Sequence, residues 1–204
     1  MTENSSNGSV LVTGATGFVG RNLVEALLNR GYAVRCLVRG AGKARELEQQ
    51  GAQLVIGDIN NARAVRQAAL GVRAVFHLAA LIKAAGREDY VRVNQTGTRI
   101  LLEALAEASP DLTRFIHISS LSAAGPSRGN VPLVEEVKPN PVSWYGESKL
   151  MSEEEVRHFA GAFPVSILRP SAVYGPHDTE TLLIFRMVQR GCLVTPGRFI
   201  RRFS

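Results

Sequence analysis

The sequence has 204 residues, of which 45% are hydrophobic and 21% are charged, and its formal net charge is +6. These proportions exclude a disordered chain, and the length suits one full domain or one domain and the start of a second. The basic residues form no run of five, so the charge indicates a groove for an anionic ligand and no nucleic-acid partner is expected.

Short β-type runs alternate with longer runs of helical spacing along most of the chain. The predicted strands are Val10–Thr13, 33–38, 53–56, 74–78, 115–119 and 165–168. The predicted helices are an amphipathic one that ends at Gly31, then 44–50, 62–70, 89–108, 144–159 and 182–189. Apolar strands that alternate with helices indicate a parallel sheet covered on both faces. We therefore predict an α/β, doubly wound parallel sheet with right-handed crossovers.

A glycine-rich loop follows the first predicted strand and opens the first helix. Gly14 allows a tight turn, Gly17 lets the backbone approach a pyrophosphate, and Gly20 lets the helix pack close to the sheet. Amide groups at the helix start then face the anion, so the loop predicts a dinucleotide site. Its residues are Gly14, Ala15, Thr16, Gly17, Phe18, Val19 and Gly20.

The end of the second predicted strand bears on which dinucleotide binds. An acidic residue about 20 positions past the loop would hold a ribose 2′-hydroxyl. Here that place holds Arg39, whose guanidinium suits a 2′-phosphate, and Lys43 adds a second positive charge. The alternative is a solvated basic loop with no ligand. The sequence therefore favours NADP(H), with NAD(H) as the alternative.

Tyr145 and Lys149 are four positions apart in a predicted helix and therefore share one face. A free tyrosine has a pKa of about 10, and a nearby ammonium and a nicotinamide ring are expected to lower it. Tyr145 could then exchange a proton with a substrate oxygen while hydride moves to or from carbon. The fifth predicted strand ends near Ser119, Ser120 and Ser122, and strand ends face the cofactor crevice. Ser119 and Ser122 also suit a loop-cap role.

The glycine loop at 13–20 and the later Tyr-x-x-x-Lys spacing resemble the extended branch of the short-chain dehydrogenase/reductase superfamily. This is the NAD(P)-dependent epimerase/dehydratase group, which includes dihydroflavonol-reductase-like and 3β-hydroxysteroid-dehydrogenase-like members. The resemblance implies a Rossmann fold. It also implies that Ser120 is the catalytic serine beside Tyr145 and Lys149, with Ser122 as the alternative.

Further fragments, at 57–59, 77–80, 94–98 and 168–176, carry the same resemblance. It implies additional cofactor contacts by Asp58, Ile59, Leu78, Ala79, Ala80, Asn94, Ser119, Tyr145, Lys149, Pro170, Ala172 and Val173. Asp58 is equally suited to a turn-forming role. His77 and His117 are expected to pack at strand ends. No metal is expected, because the chain has no cysteine spacing or acidic grouping of the metal-ligand type.

The resemblance runs from about residue 10 to residue 176. We therefore expect an NAD(P)-binding Rossmann domain at 1–180 and, at 181–204, the start of a substrate lobe that is largely missing, as in a truncated product. The polar first nine residues and the lack of a ~20-residue apolar run predict a cytoplasmic protein with no membrane partner. A homodimer through the helices at 89–108 and 144–159 is a further expectation.

Three functions stay open on the sequence. The first is an oxidoreductase that transfers hydride between NADP(H) and a small-molecule carbonyl or alcohol substrate. The second is a nucleotide-sugar epimerase that holds its cofactor tightly through the whole cycle. The third is a non-catalytic dinucleotide-binding module or a truncated, inactive product.

Overall fold

The computed structural model describes residues 8–127 and 132–191. Its strands are β1 (Val10–Thr13), β2 (Val34–Val38), β3 (Gln53–Ile56), β4 (Ala74–His77), β5 (Arg114–Ile118) and β6 (Val165–Leu168). Its α-helices are α1 (Phe18–Asn29), α2 (Arg45–Gln49), α3 (Ala62–Ala69), α4 (Arg87–Tyr90), α5 (Gly97–Ala108), α6 (Leu121–Ala124), α7 (Trp144–His158) and α8 (Glu180–Gln189). A 3₁₀ turn (Gly42–Ala44) precedes α2, and a π-helical turn (Val91–Thr96) joins α4 to α5.

The six strands form one parallel sheet in the order β3-β2-β1-β4-β5-β6. The chain builds outward from β1 to β3 and then crosses back to β4, on the other side of β1. This is the Rossmann strand order, and it confirms the predicted doubly wound sheet. The order in which strands are added to the sheet reverses between β1 and β4. This switch point opens a crevice at the carboxyl ends of the two strands, which is where ligands bind in such sheets.

Two apolar layers cover the sheet, one on each face. Side chains alternate along a strand, so β1 sends Leu11 to one layer and Val10 and Val12 to the other. The Leu11 layer also contains Leu101 and Phe115, both fully buried. Helices on both faces are therefore held by burial of the strands' apolar side chains, as the sequence pattern predicts.

The structure differs from the predicted elements mainly between residues 87 and 124. The helix expected over 89–108 is interrupted by the π-helical turn, in which Asn94 is buried. Apolar spacing does not distinguish a π turn from the α-helix around it, so this interruption was not predictable from sequence. The short helix α6 was also missed, because four residues are too few for a periodic pattern. Of the 181–204 segment, residues 192–204 lie outside the described residues.

Candidate active site

A cleft of about 360 Å³ opens at the carboxyl ends of β1 and β4. Its walls come from the glycine loop, the end of β2 and the segments that follow β3 and β4. The predicted cofactor-binding residues that line it are Gly14, Thr16, Gly17, Phe18, Val19, Gly20, Arg39, Asp58, Ile59, Leu78, Ala79 and Ala80. Leu81, Ile82 and Val93 also line it, and none of these three was predicted from the sequence. Most of the predicted dinucleotide residues therefore share one cavity.

The glycine loop is packed too tightly for side chains at two of its three glycines. Gly14 has a φ of +73°, and a Cβ there would lie 2.7 Å from the Ala79 backbone nitrogen. A Cβ on Gly20 would overlap the Gly14 carbonyl oxygen. Gly17 caps α1, which has no acidic residue in its first turn. The positive end of the α1 dipole therefore meets the cleft without an acidic side chain in its own first turn, which suits an anion such as a diphosphate.

Two charged side chains, Arg39 and Asp58, line the cleft away from the glycine loop. Asp58 Oδ1 accepts hydrogen bonds from the Asn60 backbone nitrogen and from Asn60 Nδ2, both at 2.9 Å, so Asp58 does form a turn. Lys43 does not line the cleft, because it lies exposed in the 3₁₀ turn. Its carbonyl accepts a hydrogen bond from Arg21 Nη2 at 3.1 Å. Arg39 is therefore the cation that is placed to meet a ligand in this cleft.

Ser120 is the predicted serine that lies beside Tyr145. A hydrogen bond joins the two side-chain hydroxyls. Ser120 also caps α6, since its Oγ accepts from the Ser122 backbone nitrogen at 3.1 Å. The loop-cap role expected for Ser119 or Ser122 thus belongs to Ser120, and the Ser119 hydroxyl instead donates to Glu153 at 2.6 Å. A Cβ at Gly146 would overlap the Ser122 carbonyl oxygen, so α6 and α7 pack closely. This packing keeps Ser120 and Tyr145 together.

Burial raises the pKa of Tyr145, and neighbouring Tyr90 raises it further, whereas the hydrogen bond to Ser120 lowers it. The net pKa lies above the ordinary value. The prediction that Lys149 lowers the pKa of Tyr145 is therefore wrong for the protein without its cofactor. The Lys149 Nζ donates instead to the Ile118 carbonyl at 2.8 Å. A contribution from a nicotinamide ring stays a prediction. Tyr145 thus keeps its phenolic proton at neutral pH.

Lys149 is only 1% exposed. Burial lowers its pKa to about 8, and the carboxylate of Glu153 acts in the opposite direction. Sequence reasoning missed Glu153, although the spacing of four residues from Lys149 on a predicted helix was a signal for it. Lys149 and Glu153 therefore form a buried pair of charges next to Ser120 and Tyr145.

Asn94 lies behind the cleft and does not line it. Its Oδ1 accepts from the Leu81 backbone nitrogen at 2.7 Å, and its Nδ2 donates to the Leu81 carbonyl at 3.1 Å and to Ser148 Oγ at 2.8 Å. It therefore ties the segment after β4 to α7. His77 lies between Thr13 Oγ1 and Thr98 Oγ1, and burial, aided by Lys149, lowers its pKa to about 3. This neutral, packed histidine agrees with the strand-end role expected for it.

The remaining predicted residues do not line the cleft. Ala15 is fully buried within the glycine loop. Pro170 follows β6, and its carbonyl accepts from the Leu121 backbone nitrogen at 3.1 Å. The residues that do not line the cavity are Ala15, Lys43, Asn94, Ser119, Ser120, Tyr145, Lys149, Pro170, Ala172 and Val173. Within 8–127 and 132–191 we find no group of three or more residues suited to a metal ion, and no helix long and apolar enough to cross a membrane.

The strand order, the glycine loop and the cleft together define a dinucleotide-binding protein of the Rossmann type. The family model described as NAD dependent epimerase/dehydratase matches residues 10–193. The chain belongs to this family, and the resemblance to extended short-chain dehydrogenases/reductases is confirmed. NAD(P) binding is the property that fold and family support together.

Several known proteins are similar to this chain. A ceramide reductase of Caulobacter vibrioides is 40% identical over 91% of this chain and 52% of its own length. A putative dihydroflavonol 4-reductase of Synechocystis is 34% identical over 88% of this chain and 54% of its own length. A solved structure of the UDP-glucuronic acid 4-epimerase of Bacillus cereus, in complex with UDP-glucuronic acid and NAD, has a TM-score of 0.75 to this chain at 30% identity. The match covers 90% of this chain and 64% of the epimerase chain. The chain spans about half the length of the curated relatives it matches.

Proposed function

We propose that this protein is an NADP(H)-dependent oxidoreductase that acts on a carbonyl/alcohol pair through Ser120, Tyr145 and Lys149. The observation that carries the proposal is the hydrogen bond between the Ser120 and Tyr145 hydroxyls beside a buried lysine, at the same sheet edge as the glycine-loop cleft. Similarity to a ceramide reductase and a putative dihydroflavonol 4-reductase supports the reaction class.

The bound cofactor would supply or accept the hydride. In the reductive direction Ser120 holds the carbonyl oxygen of the substrate, and Tyr145 donates its phenolic proton to that oxygen as the carbon becomes an alcohol. The raised pKa of Tyr145 suits this donor role, because the proton is present at neutral pH. Lys149 contributes a positive charge from a site that excludes water.

The catalytic role is tested by turnover of Tyr145→Phe on a panel of small carbonyl compounds. General acid catalysis contributes about 10²- to 10⁴-fold, so the variant should lose activity by that factor while it still binds NADPH. Tyr32→Phe is the control, since Tyr32 packs in the apolar layer beside β2. Zero turnover in the wild-type protein and in Tyr145→Phe, with NADPH bound by both, would favour the non-catalytic module instead.

The cofactor preference is tested separately with NADPH and NADH dissociation constants. We propose that Arg39 binds the 2′-phosphate, so Arg39→Asp should weaken NADPH binding and leave NADH binding nearly unchanged. Lys43→Asp is the matched control, because Lys43 lies on the same connection but does not line the cleft. An unchanged preference in Arg39→Asp would contradict the role of Arg39 and remove the support for NADP(H) selectivity.

A nucleotide-sugar epimerase is the second candidate. It is favoured by the fold similarity to the Bacillus cereus UDP-glucuronic acid 4-epimerase, which was solved with NAD. An epimerase returns the hydride to its substrate, so its cofactor should co-purify and show no net change in redox state. Stoichiometric consumption of added NADPH during turnover would exclude this alternative.

We also propose that residues 1–180 form the cofactor domain and that 181–204 begin a substrate lobe. The support is that α8 buries none of its residues, and that Leu183 and Phe185 on it are exposed. The cytoplasmic location and the homodimer stay predictions.

A further inference from the structure

A buried carboxylate connects three segments around the proposed active site. Glu153 is 0% exposed and lies one helical turn beyond Lys149 on α7. Its Oε1 accepts from the Ser119 hydroxyl at 2.6 Å and from Arg169 Nε at 2.8 Å. Its Oε2 accepts from Arg169 Nη2 at 2.6 Å and from Arg157 Nη2 at 2.9 Å. The ends of β5 and β6 therefore both meet α7 at this one side chain.

The backbone around these contacts holds the same segments together. The Ser119 backbone nitrogen donates to the Leu168 carbonyl at 2.7 Å, and the Leu121 backbone nitrogen donates to the Pro170 carbonyl at 3.1 Å. These two bonds lie on either side of Arg169, whose guanidinium binds Glu153 with two parallel hydrogen bonds. Such a bidentate pair fixes orientation as well as distance. Glu153 thus links α7 to the turn carrying Ser120 through Ser119, in addition to the bond from Lys149 to the Ile118 carbonyl.

Burial alone would raise the pKa of Glu153, but hydrogen bonds from Arg169, Ser119 and Arg157 outweigh it, and the pKa lies below its ordinary value. The group is therefore a carboxylate at neutral pH. A charge with no exposure is costly unless it is fully paired, and here Ser119, Arg169 and Arg157 pair both carboxylate oxygens.

We propose that Glu153 is a positioning residue for Ser120, Tyr145 and Lys149, which acts through Ser119 and Arg169. The role rests on the proposed function, because it assumes that these three groups act together. Any misplacement of Ser120 relative to Tyr145 would loosen their hydrogen bond, and errors of about 1 Å can cost about 100-fold in rate.

The effect of Glu153 on the pKa of Lys149 gives a second way to test this role. His77 on β4 and His117 on β5 lie near Lys149, and burial, then Lys149, lowers the pKa of each. Both are therefore neutral at pH 7, as is Tyr145 on the same helix. The cations Arg157 and Arg169 pair with Glu153 itself, and Glu135 raises the pKa of Arg169 electrostatically. Among these groups, Glu153 is the negative charge that raises the pKa of Lys149.

The test uses the full chain with Glu153→Gln, which keeps the shape and removes the charge. The Lys149 side chain is titrated by NMR with ¹³Cε-labelled lysine, and NADPH dissociation constants are measured over the same pH range. We expect the pKa of Lys149 to fall below its wild-type value and the NADPH dissociation constant to rise about tenfold, because Tyr145 and Lys149 are among the expected cofactor contacts. Wild-type behaviour of a folded Glu153→Gln in both measurements would overturn the proposal.

If Glu153→Gln does not fold, variants of the two arginines that bind Glu153 provide a matched test. Arg169→Gln removes the link to the end of β6, whereas Arg157→Gln removes a donor to the same Oε2 from within α7. We expect weaker NADPH binding in Arg169→Gln and wild-type binding in Arg157→Gln. Equal dissociation constants in these two variants would show that the carboxylate is merely structural. A lack of turnover on all carbonyls would contradict the proposed reaction and leave the binding and NMR results to decide this role.

Discussion

Gly14 and Gly31 have nearly the same backbone conformation and very different surroundings, which makes them a sharp test of how the cofactor loop is built. Their φ angles are +73° and +78°. A Cβ on Gly31 would meet nothing within 4 Å, whereas one on Gly14 would lie 2.7 Å from both the Leu78 carbonyl carbon and the Ala79 nitrogen. The two positions therefore share the conformational cost of an alanine and differ in the steric cost.

A left-handed conformation costs an alanine about 1–2 kcal/mol, and the less flexible unfolded chain returns about 0.4–1 kcal/mol. Gly31→Ala should therefore lower the free energy of unfolding by about 1 kcal/mol. Gly14→Ala should lose about 1–3 kcal/mol more, because the backbone at the end of β4 must move to admit the methyl group. A native domain has about 5–15 kcal/mol in total, so the difference is large enough to measure.

Urea unfolding of the two variants gives both free energies, and NADPH titration gives the functional consequence. Gly14→Ala should weaken NADPH binding, because the loop shifts at the mouth of the cleft. Gly31→Ala should bind as the wild type does, since Gly31 lies beyond the far end of α1. Equal destabilisation in the two variants, or unchanged NADPH binding by Gly14→Ala, would refute the close packing of the loop against β4.

Three further predictions concern groups behind the cleft. His77 has a folded pKa of about 3 against an ordinary 6.5, so the unfolded chain takes up its proton first, and stability is lost as the pH falls from 6.5 towards 3. His77 should contribute about 1.4 kcal/mol per pH unit to the slope measured by urea unfolding, so the slope should shrink by that amount in His77→Gln. Tyr90→Phe removes a hydroxyl that bonds two backbone groups of the 82–84 segment, so it should cost about 1–3 kcal/mol, whereas Tyr32→Phe should cost less. Asn94→Ala breaks three buried or half-buried hydrogen bonds, whereas Asn22→Ala loses two bonds to backbone carbonyls nearer the surface. The free energy of unfolding should therefore fall further in Asn94→Ala than in Asn22→Ala. Similar losses in the two variants would contradict a structural role for Asn94.

The six-strand fold was predictable from sequence because its signals are local. The apolar run Val10–Thr13, the glycines after it and the amphipathic helix that follows are contiguous, and this unit sets the switch point of the sheet. The cleft that contains Gly17, Arg39 and Asp58 follows from the same rule, since parallel strands end at one edge. The placement of Lys43 away from the cleft did not follow, because it depends on the 3₁₀ turn in which that residue lies.

The electrostatics of the site could not be predicted from sequence, because they depend on contacts between distant segments. A spacing of four residues brings Lys149 close to Tyr145 along the helix, but it does not reveal that the Lys149 ammonium is held by the Ile118 carbonyl. Nor does it reveal that Tyr90, far away in sequence, packs with its ring 6.3 Å from that of Tyr145.

These long-range contacts change the chemical interpretation of Tyr145. From the sequence we expected the pKa of Tyr145 to be lowered by Lys149 and a nicotinamide ring, whereas in the structure burial and Tyr90 raise it by more than Ser120 lowers it. A protonated phenol that is hydrogen-bonded to Ser120 suits proton donation to a carbonyl oxygen, which is the step that reduction requires. Oxidation of an alcohol would first require this proton to leave. The proposed enzyme should therefore run more readily as a reductase at neutral pH and gain dehydrogenase activity as the pH rises.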